Sequence, residues 1–223
     1  MHANGRPAMP ASSLDHLISQ IARSVRDPHV LGALRAVPRE RFVSRELRPY
    51  AHLDEPLPIG AGQTISQPTI VAVMTAALHL TGEERVLEVG TGSGYQAAVL
   101  SRLAREVVTV EVVDELRDQA AETLAALGYA NVRVLLAGEE IGALAEGPYD
   151  AIIVTAAAPS VPAPLVAQLR VGGRLMIPVG TREEQDLLLV ERTANGTAVS
   201  RLGACRFVPL VGKHGFLAGP VGR

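Results

Sequence analysis

The fold of this chain is decided by the stretch Val86-Leu87-Glu88-Val89-Gly90-Thr91-Gly92-Ser93-Gly94-Tyr95. An apolar, β-branched run leads into three glycines at alternate positions, and helix-forming residues follow from Tyr95. Glycines let the backbone turn tightly, and they let a ligand approach where a Cβ atom would collide with it. The stretch therefore predicts a buried strand, a glycine turn and the start of a helix.

The spacing of the glycines separates two classes of cofactor. A dinucleotide-binding turn has the form G-x-G-x-x-G, and its third glycine would fall on Tyr95, which disfavours a nicotinamide dehydrogenase. Glu88 would repel a pyrophosphate, but it can serve a cationic amino-acid group directly or through water. The candidate cofactor-binding residues here are Glu88, Gly90, Thr91, Gly92, Ser93 and Gly94.

Two later strand ends carry further acidic residues. Glu111 ends the next predicted strand, where a carboxylate can accept hydrogen bonds from both hydroxyls of a ribose. Gly138 and Glu139 follow the strand after that, and we expect them on the adenine side, whereas Glu140 is expected to be solvated. A glycine turn alone also fits a tight strand–helix connection, but three strand-end acids beside it favour a nucleotide site at the carboxyl edge of a sheet.

The chain after residue 68 alternates helix-like and strand-like segments. This alternation predicts an α/β fold in which helices cover both faces of a parallel sheet. We predict helices at 69–80, 94–104, 115–127 and Ala163–Leu169, and strands at 85–89, 107–111, 132–136, Tyr149–Val154 and Gly173–Pro178. Two C-terminal strands, Asp186–Glu191 and Ala204–Leu210, follow without an intervening helix, joined by a turn at Asn195-Gly196.

The first third of the chain has a different pattern. Apolar residues at helical spacing within Leu14–Leu34 predict one or two short helices, with Ser12 or Ser13 as the N-cap. The segment Pro49–Pro68 is dense in proline and glycine, which predicts an ordered loop. We expect one domain over 1–223, with a flexible start (1–13), an N-terminal helical and substrate-loop segment (14–80), a cofactor-binding core (81–210) and a tail (211–223).

Composition excludes several classes of protein. Of 223 residues, 48% are hydrophobic and 20% are charged, so the chain is globular, and a net charge of −2 gives no sign of a nucleic-acid surface. The lone Cys205 excludes an intramolecular disulfide and a cysteine-built zinc site, and the histidines lack metal-ligand spacing, so we expect no metal. No run is apolar and long enough for a membrane span, so we expect a cytoplasmic protein.

The sequence resembles the protein-L-isoaspartate (D-aspartate) O-methyltransferases over nearly all of its length after residue 37. The glycine turn is shared by many methyltransferases, but the loop Thr64-Ile65-Ser66-Gln67-Pro68 is much more specific to this family. The matching segments are 37–43, 56–60, 62–68, 87–100, 149–159, 172–175, 178–180 and 206–210.

The resemblance implies a Rossmann-like methyltransferase with a covering N-terminal segment and C-terminal antiparallel strands. Its cofactor would be S-adenosylmethionine, and its partners would be damaged proteins. It would methylate the α-carboxylate of isoaspartyl residues and the side-chain carboxylate of D-aspartyl residues. The enzyme would act as a monomer. The ester would then close to a succinimide. By similarity Ser66 is the active-site residue, and Thr64, Ile65 and Gln67 shape the substrate pocket.

One departure from the family pattern leaves alternatives open. The family has Gly-Asp-Gly where this chain has Gly138-Glu139-Glu140, so the loop or the cofactor affinity is expected to differ. A relative that methylates an aspartate in a modified peptide natural product would share the cofactor site. A non-catalytic nucleotide-binding protein could also use this fold. The Ser66 hydroxyl could instead satisfy local backbone groups.

Overall fold

A seven-stranded sheet lies at the centre of the computed structural model, which describes residues 13–216. Its strands are β3 (Arg85–Val89), β4 (Glu106–Glu111), β5 (Val132–Leu136), β6 (Tyr149–Val154), β7 (Leu169–Gly180), β8 (Gln185–Thr193) and β9 (Gly196–Cys205). They are ordered β5-β4-β3-β6-β7-β8-β9. The pairs from β5 to β7 are parallel, and β8 and β9 pair in antiparallel fashion. This is the predicted α/β sheet.

Helices cover both faces of the sheet, because its central strands are apolar on both sides. Alternate residues of β3 enter different apolar clusters: Val86 faces one, and Leu87 and Val89 face the other. The covering helices are α1 (Leu14–Ile21), α2 (Pro28–Ala36), α3 (Pro68–Ala77), α4 (Tyr95–Ser101), α5 (Asp114–Ala126) and α6 (Ala163–Gln168). The helix expected at 69–80 begins one residue earlier and ends three residues earlier than predicted, and the helix expected at 94–104 covers only Tyr95–Ser101.

The N-terminal helices begin at side-chain caps. The Ser13 hydroxyl accepts a hydrogen bond from the His16 N–H at 3.2 Å, and the Asp27 carboxylate caps α2, which has proline in its first turn. Ser13 is thus the N-cap of α1; Ser12 lies outside the described residues. Side chains of α1 and α2 share one apolar cluster with the sheet, which supports a single domain. The single domain and the bounds of its segments stay a prediction.

The segment expected to be a loop contains regular structure. Strands β1 (Leu57–Gly60) and β2 (Gln63–Ile65) form an antiparallel hairpin, and a short 3-10 helix, Arg45–Tyr50, ends just inside the start of the segment. Ala61 and Gly62 join the strands with positive φ values of 49° and 71°, the conformation that hairpin turns with a matching twist require. The glycine-rich composition marks the turn, but strands of three and four residues exist only through their pairing.

The C-terminal strand lies earlier than predicted. Strand β9 ends at Cys205, and the hairpin turn is Ala194-Asn195 rather than Asn195-Gly196, because Thr193 pairs with Gly196. Residues 206–210 leave the sheet and cross its carboxyl edge, where the Leu210 N–H donates to the Ala157 carbonyl at 2.7 Å. Pro209, which has no N–H, cannot continue a strand ladder.

The two ends of the chain are described only in part. The expected flexible start up to residue 12 and the expected tail beyond residue 216 lie outside the described residues. Residues 211–216 form a turn closed by a bridge between Val211 and Phe216. Between residues 13 and 216, no helix is long and apolar enough to cross a membrane.

Candidate active site

A cavity of about 250 Å³, here called the cofactor cavity, lies at the carboxyl edge of the parallel strands. It sits where strand order reverses, between β4 and β3 on one side and β6 on the other, the position at which open α/β sheets bind ligands. Its walls come from the glycine turn, the ends of β4 and β6, strand β2 with the following Ser66, and the segment after β9. The lining residues used below are Thr64, Ser66, Gly90, Gly92, Glu111, Thr155 and 208–211.

The glycine turn is packed tightly between neighbouring strands. Gly90 has a φ of 99°, and a Cβ atom there would overlap the Thr155 hydroxyl. That hydroxyl donates to the Gly90 carbonyl at 2.6 Å, while the N–H groups of Gly90 and Thr91 donate to the Val110 carbonyl. Only glycine fits at position 90, because both the backbone angle and the space exclude a side chain.

The predicted turn residues do not all reach the cofactor cavity. Gly90 and Gly92 line it, whereas Ser93 lines a neighbouring cavity of about 560 Å³ beside α5. Thr91 and Gly94 are buried behind the turn. The turn therefore contributes backbone to the cavity wall, whereas the Thr91 side chain is buried and contacts the Thr109 hydroxyl.

Glu111 connects the turn to the end of β4. One carboxylate oxygen accepts the Gly92 N–H at 2.8 Å, and the other accepts the N–H groups of Val112 and Val113 at 2.9 and 3.1 Å. The side chain also lines the cofactor cavity. Since an ionised carboxylate has about four acceptor sites and three are used here, capacity remains for about one ribose hydroxyl.

Glu88 lies beneath the turn rather than on the cavity wall. It has no exposed surface, and its Oε2 accepts the Thr109 hydroxyl at 2.6 Å; that hydroxyl is also 2.6 Å from the Thr91 hydroxyl. Burial raises the pKa of Glu88 to about 8; the Thr109 hydrogen bond opposes the shift and the Glu111 charge adds to it. The sequence left two ways for Glu88 to serve a cofactor, a direct contact and a contact through water. The direct contact is excluded in this conformation, because the Glu88 side chain lies behind the wall of the cofactor cavity.

The residues expected on the adenine side line an adjoining cavity of about 280 Å³. Gly138 and Glu139 form one wall, residues 210–215 form the other, and Ala137 belongs to both this cavity and the cofactor cavity. The two spaces are therefore neighbours along the same sheet edge. A Cβ atom added at Gly138 would have no other atom within 4 Å, so the chain is not crowded at this position.

Glu140 is exposed, as expected, but it is not simply solvated. Its carboxylate binds Lys213 Nζ at 2.6 Å and lies 3.5 Å from His214 Nε2, and the Lys213 hydrogen bond lowers its pKa. The side chain that replaces the family's glycine thus ties the adenine-side loop to the segment after β9.

Ser66 lies at the junction of two cavities. A second space of about 290 Å³, here called the acceptor cavity, is lined by Thr64, Ser66, Gln67, Thr155 and residues 204–208. Thr64, Ser66 and Thr155 line both this and the cofactor cavity. The Ser66 hydroxyl has no hydrogen-bond partner among residues 13–216, which disfavours the alternative that it satisfies local backbone.

The other two loop residues have different surroundings. Ile65 is only 3% exposed, belongs to the apolar core and lines neither cavity, so it affects the pocket only through packing. Gln67 lines the acceptor cavity, and its amide donates to the Asp54 carboxylate at 2.9 Å. That carboxylate also accepts the Thr69 N–H and hydroxyl at 2.8 and 2.7 Å, so it caps α3.

Two site residues escaped the sequence reasoning. Thr155 is the first polar residue after the apolar strand β6, and that position at the carboxyl edge could have revealed it. Asp54 lies in the proline-rich segment fourteen residues before α3 begins, so no local pattern indicates that it caps that helix. Among the described residues, no group of three or more His, Cys, Asp or Glu side chains could hold a metal ion.

Comparisons with known proteins show similarity over most of this chain. A family model described as protein-L-isoaspartate(D-aspartate) O-methyltransferase matches residues 12–215. Protein-L-isoaspartate O-methyltransferase 1 of Syntrophobacter fumaroxidans is 52% identical, covering 88% of this chain and 92% of the relative. The Desulfosudis oleivorans protein-L-isoaspartate O-methyltransferase is 52% identical over 89% of this chain and 90% of its own length.

Two solved structures share the fold over most of the chain. One, a protein-L-isoaspartate O-methyltransferase, has a TM-score of 0.83 at 29% identity and covers 91% of this chain and 67% of its own. The other, from Plasmodium falciparum, is a putative protein-L-isoaspartate O-methyltransferase in complex with S-adenosyl-L-homocysteine. Its TM-score is 0.75 at 25% identity, covering 88% of this chain and 97% of that chain.

Replacing Glu111 with alanine should weaken binding of S-adenosylhomocysteine by roughly 1–3 kcal/mol, the scale for losing charge-assisted hydrogen bonds. Titration calorimetry measures the effect, and circular dichroism checks that the fold survives. Glu115→Ala is the matched control, because Glu115 is exposed on α5 and, within residues 13–216, its carboxylate is bound by Gln119 alone. Unchanged affinity for both cofactor and product would remove Glu111 from the site.

Replacing Glu88 with glutamine should remove a pH dependence of stability. Because the pKa of Glu88 rises from 4.5 in the unfolded chain to about 8 in the fold, its contribution is complete below pH 4.5 and is lost as pH rises towards 8. The unfolding free energy of the wild type, relative to Glu88→Gln, should therefore fall between pH 5 and 8. Urea unfolding followed by circular dichroism measures it, and a difference independent of pH would contradict the assignment.

Proposed function

Since this chain belongs to the protein-L-isoaspartate(D-aspartate) O-methyltransferase family, we propose that it methylates damaged aspartyl residues of proteins, using the adjoining cofactor and acceptor cavities. It is an S-adenosylmethionine-dependent methyltransferase. The acceptor would be the α-carboxylate of an isoaspartyl residue or the side-chain carboxylate of a D-aspartyl residue. The observation that carries the proposal is the position of Ser66 on the wall shared by the cofactor and acceptor cavities.

The residues present fit S-adenosylmethionine. The tight turn at Gly90 leaves backbone where a side chain would block the cavity, and Glu111 presents acceptor capacity at the end of β4. Gly138 and Glu139 line the neighbouring space on the adenine side. When bound, S-adenosylmethionine supplies an activated methyl group on a sulfonium centre.

The residues of this chain mainly position the acceptor. A carboxylate is already ionised near neutral pH, so no general base is needed. The Ser66 hydroxyl donates one hydrogen bond that orients the carboxylate, and the enclosing cavity walls exclude part of its water shell. A neutral donor suits this task, because a strong cationic partner would hold back the attacking oxygen.

The product explains how methylation leads to repair. An ester is a better acyl donor than a carboxylate, so the nitrogen of the next peptide unit attacks its carbonyl and expels methanol. The resulting succinimide opens with water on either side, and one of the two products is a normal aspartyl residue. This chain need only form the ester.

Some alternatives and further properties follow from the same observations. Tailoring of a peptide natural product is not favoured, because relatives about half identical over most of the chain are named protein-L-isoaspartate O-methyltransferases. The proposed function requires no second copy of the chain, and we propose a monomer. The net charge of −2 supports a protein substrate over a nucleic acid, and the lone thiol of Cys205 supports a reducing, cytoplasmic location.

An isoaspartyl peptide should accept methyl groups while the aspartyl peptide of equal composition should not. In the isomer the backbone runs through the side-chain carboxyl, so the free carboxylate sits on a shorter arm. A misplacement of about 1 Å can lower a rate by on the order of 10²-fold, so discrimination should appear in kcat/KM. Transfer of radiolabelled methyl groups measures it, and equal rates on both peptides would refute the repair function.

Replacing Ser66 with alanine should lower kcat far more than cofactor affinity, because the hydroxyl orients the acceptor and does not hold the nucleotide. Titration of S-adenosylhomocysteine should look nearly normal. Ser200→Ala is the control, since Ser200 is exposed on β9 and lines neither cavity. Intact turnover, or a collapse of cofactor binding instead, would show that the assigned role is wrong.

A further inference from the structure

Arg39 is a buried cation that the proposed chemistry does not use. It begins the 3-10 helix Arg39–Phe42, and only 2% of its surface is exposed. Burial lowers its pKa to about 10, so it remains protonated at neutral pH. A buried charge is costly unless its donors are hydrogen-bonded, so the partners of this guanidinium show what it stabilises.

Among residues 13–216, the hydrogen-bond acceptors of the guanidinium are all backbone carbonyls, and they come from two separate segments. The guanidinium also lies over the Tyr95 ring, 5.8 Å from its centroid. Nη1 donates to the carbonyls of Ala51 at 2.6 Å and Leu53 at 3.4 Å. Nη2 donates to the carbonyls of Glu55 at 2.9 Å and Ser66 at 3.0 Å. The planar fork of an arginine can hold several acceptors at fixed angles, which the single ammonium of lysine cannot do.

These bonds fix the backbone of Ser66 while leaving its hydroxyl unbonded within residues 13–216. The next residues are held from the other side, because the Asp54 carboxylate binds the Gln67 amide and the Thr69 N–H. Arg39 itself lines neither the cofactor cavity nor the acceptor cavity. Any effect it has on methyl transfer must therefore pass through the residues it holds.

We propose that Arg39 is a positioning residue of the methyl-transfer site, which clamps the Ser66 carbonyl to the 51–55 segment and so fixes the direction of the Ser66 hydroxyl. The inference rests on the proposed function of Ser66. Without the hydrogen bonds of Arg39, the position of the Ser66 hydroxyl relative to the acceptor carboxylate is no longer fixed. Displacements of about 1 Å are enough to lower the rate on the order of 10²-fold.

A double-mutant cycle tests this coupling. Arg39→Lys keeps the charge but cannot bridge the two segments, so its kcat should fall by about 10- to 100-fold with little change in S-adenosylhomocysteine affinity. In the Ser66→Ala background the same change should cause almost no further loss, because the hydroxyl that it positions is already gone. Arg35→Lys, on a surface arginine paired with Asp15, is the matched control and should leave kcat unchanged.

The result that would overturn the proposal is equally specific. If the two losses multiply in the double variant, Arg39 contributes to stability or to another step and not to the placement of Ser66. All rates are taken well below the lowest unfolding midpoint of the four proteins, so that unfolding does not contribute. A wild type inactive on isoaspartyl peptides would instead refute the proposed function, which separates the two failures.

Chemical rescue gives a second measurement that needs no lysine at the site. Arg39→Ala leaves a gap shaped for a guanidinium, so low millimolar guanidinium chloride should restore part of kcat, whereas urea, planar but uncharged, should not. The same addition should not raise the kcat of the Arg39→Ala/Ser66→Ala double variant. Restoration of thermal stability without restoration of kcat would overturn the positioning role.

Discussion

The whole site depends on one close approach, that of the glycine turn to the ends of β4 and β6. The turn can enter this gap only because Gly90 has no side chain, and it is held there by the Val110 carbonyl and the Thr155 hydroxyl. Since both strands end at the same edge, the turn, Glu111 and Thr155 come together without any long loop. The cofactor cavity is the space that remains beside this contact.

Two glutamates at the same sheet edge differ in surroundings and therefore in role. Glu88 is enclosed by the sheet, where burial favours its neutral form, and it supports the turn through the hydroxyls of Thr109 and Thr91. Glu111 reaches the cavity and accepts three backbone N–H groups. One acid thus stabilises the turn from below, and the other remains available to a ligand.

Segments from both ends of the chain close the site over this edge. Arg39 and Asp54, in the N-terminal part, hold the loop that carries Ser66 from two sides. The segment after β9 forms the opposite wall, and its Lys213 is bound to Glu140 of the adenine-side loop. The sheet provides the cofactor edge, whereas these covering segments create the acceptor cavity, and the acceptor is what distinguishes one methyltransferase from another.

The sequence by itself determined the parts of this protein that depend on neighbouring residues. The bounds of β3, β5 and β6 were predicted to the residue, because short runs rich in apolar and β-branched residues, bounded by polar or glycine residues, mark strands. The glycine spacing indicated the class of cofactor. It missed the β1–β2 hairpin, because strands of only four and three residues are too short to show a periodic pattern. It misplaced strand β9, because that strand is exposed along most of its length and is defined by its pairing with β8. Tertiary structure alone decided the burial of Glu88, the shared wall at Ser66 and the clamp by Arg39. These features arise from residues far apart in the chain, whose contacts and desolvation no local pattern encodes.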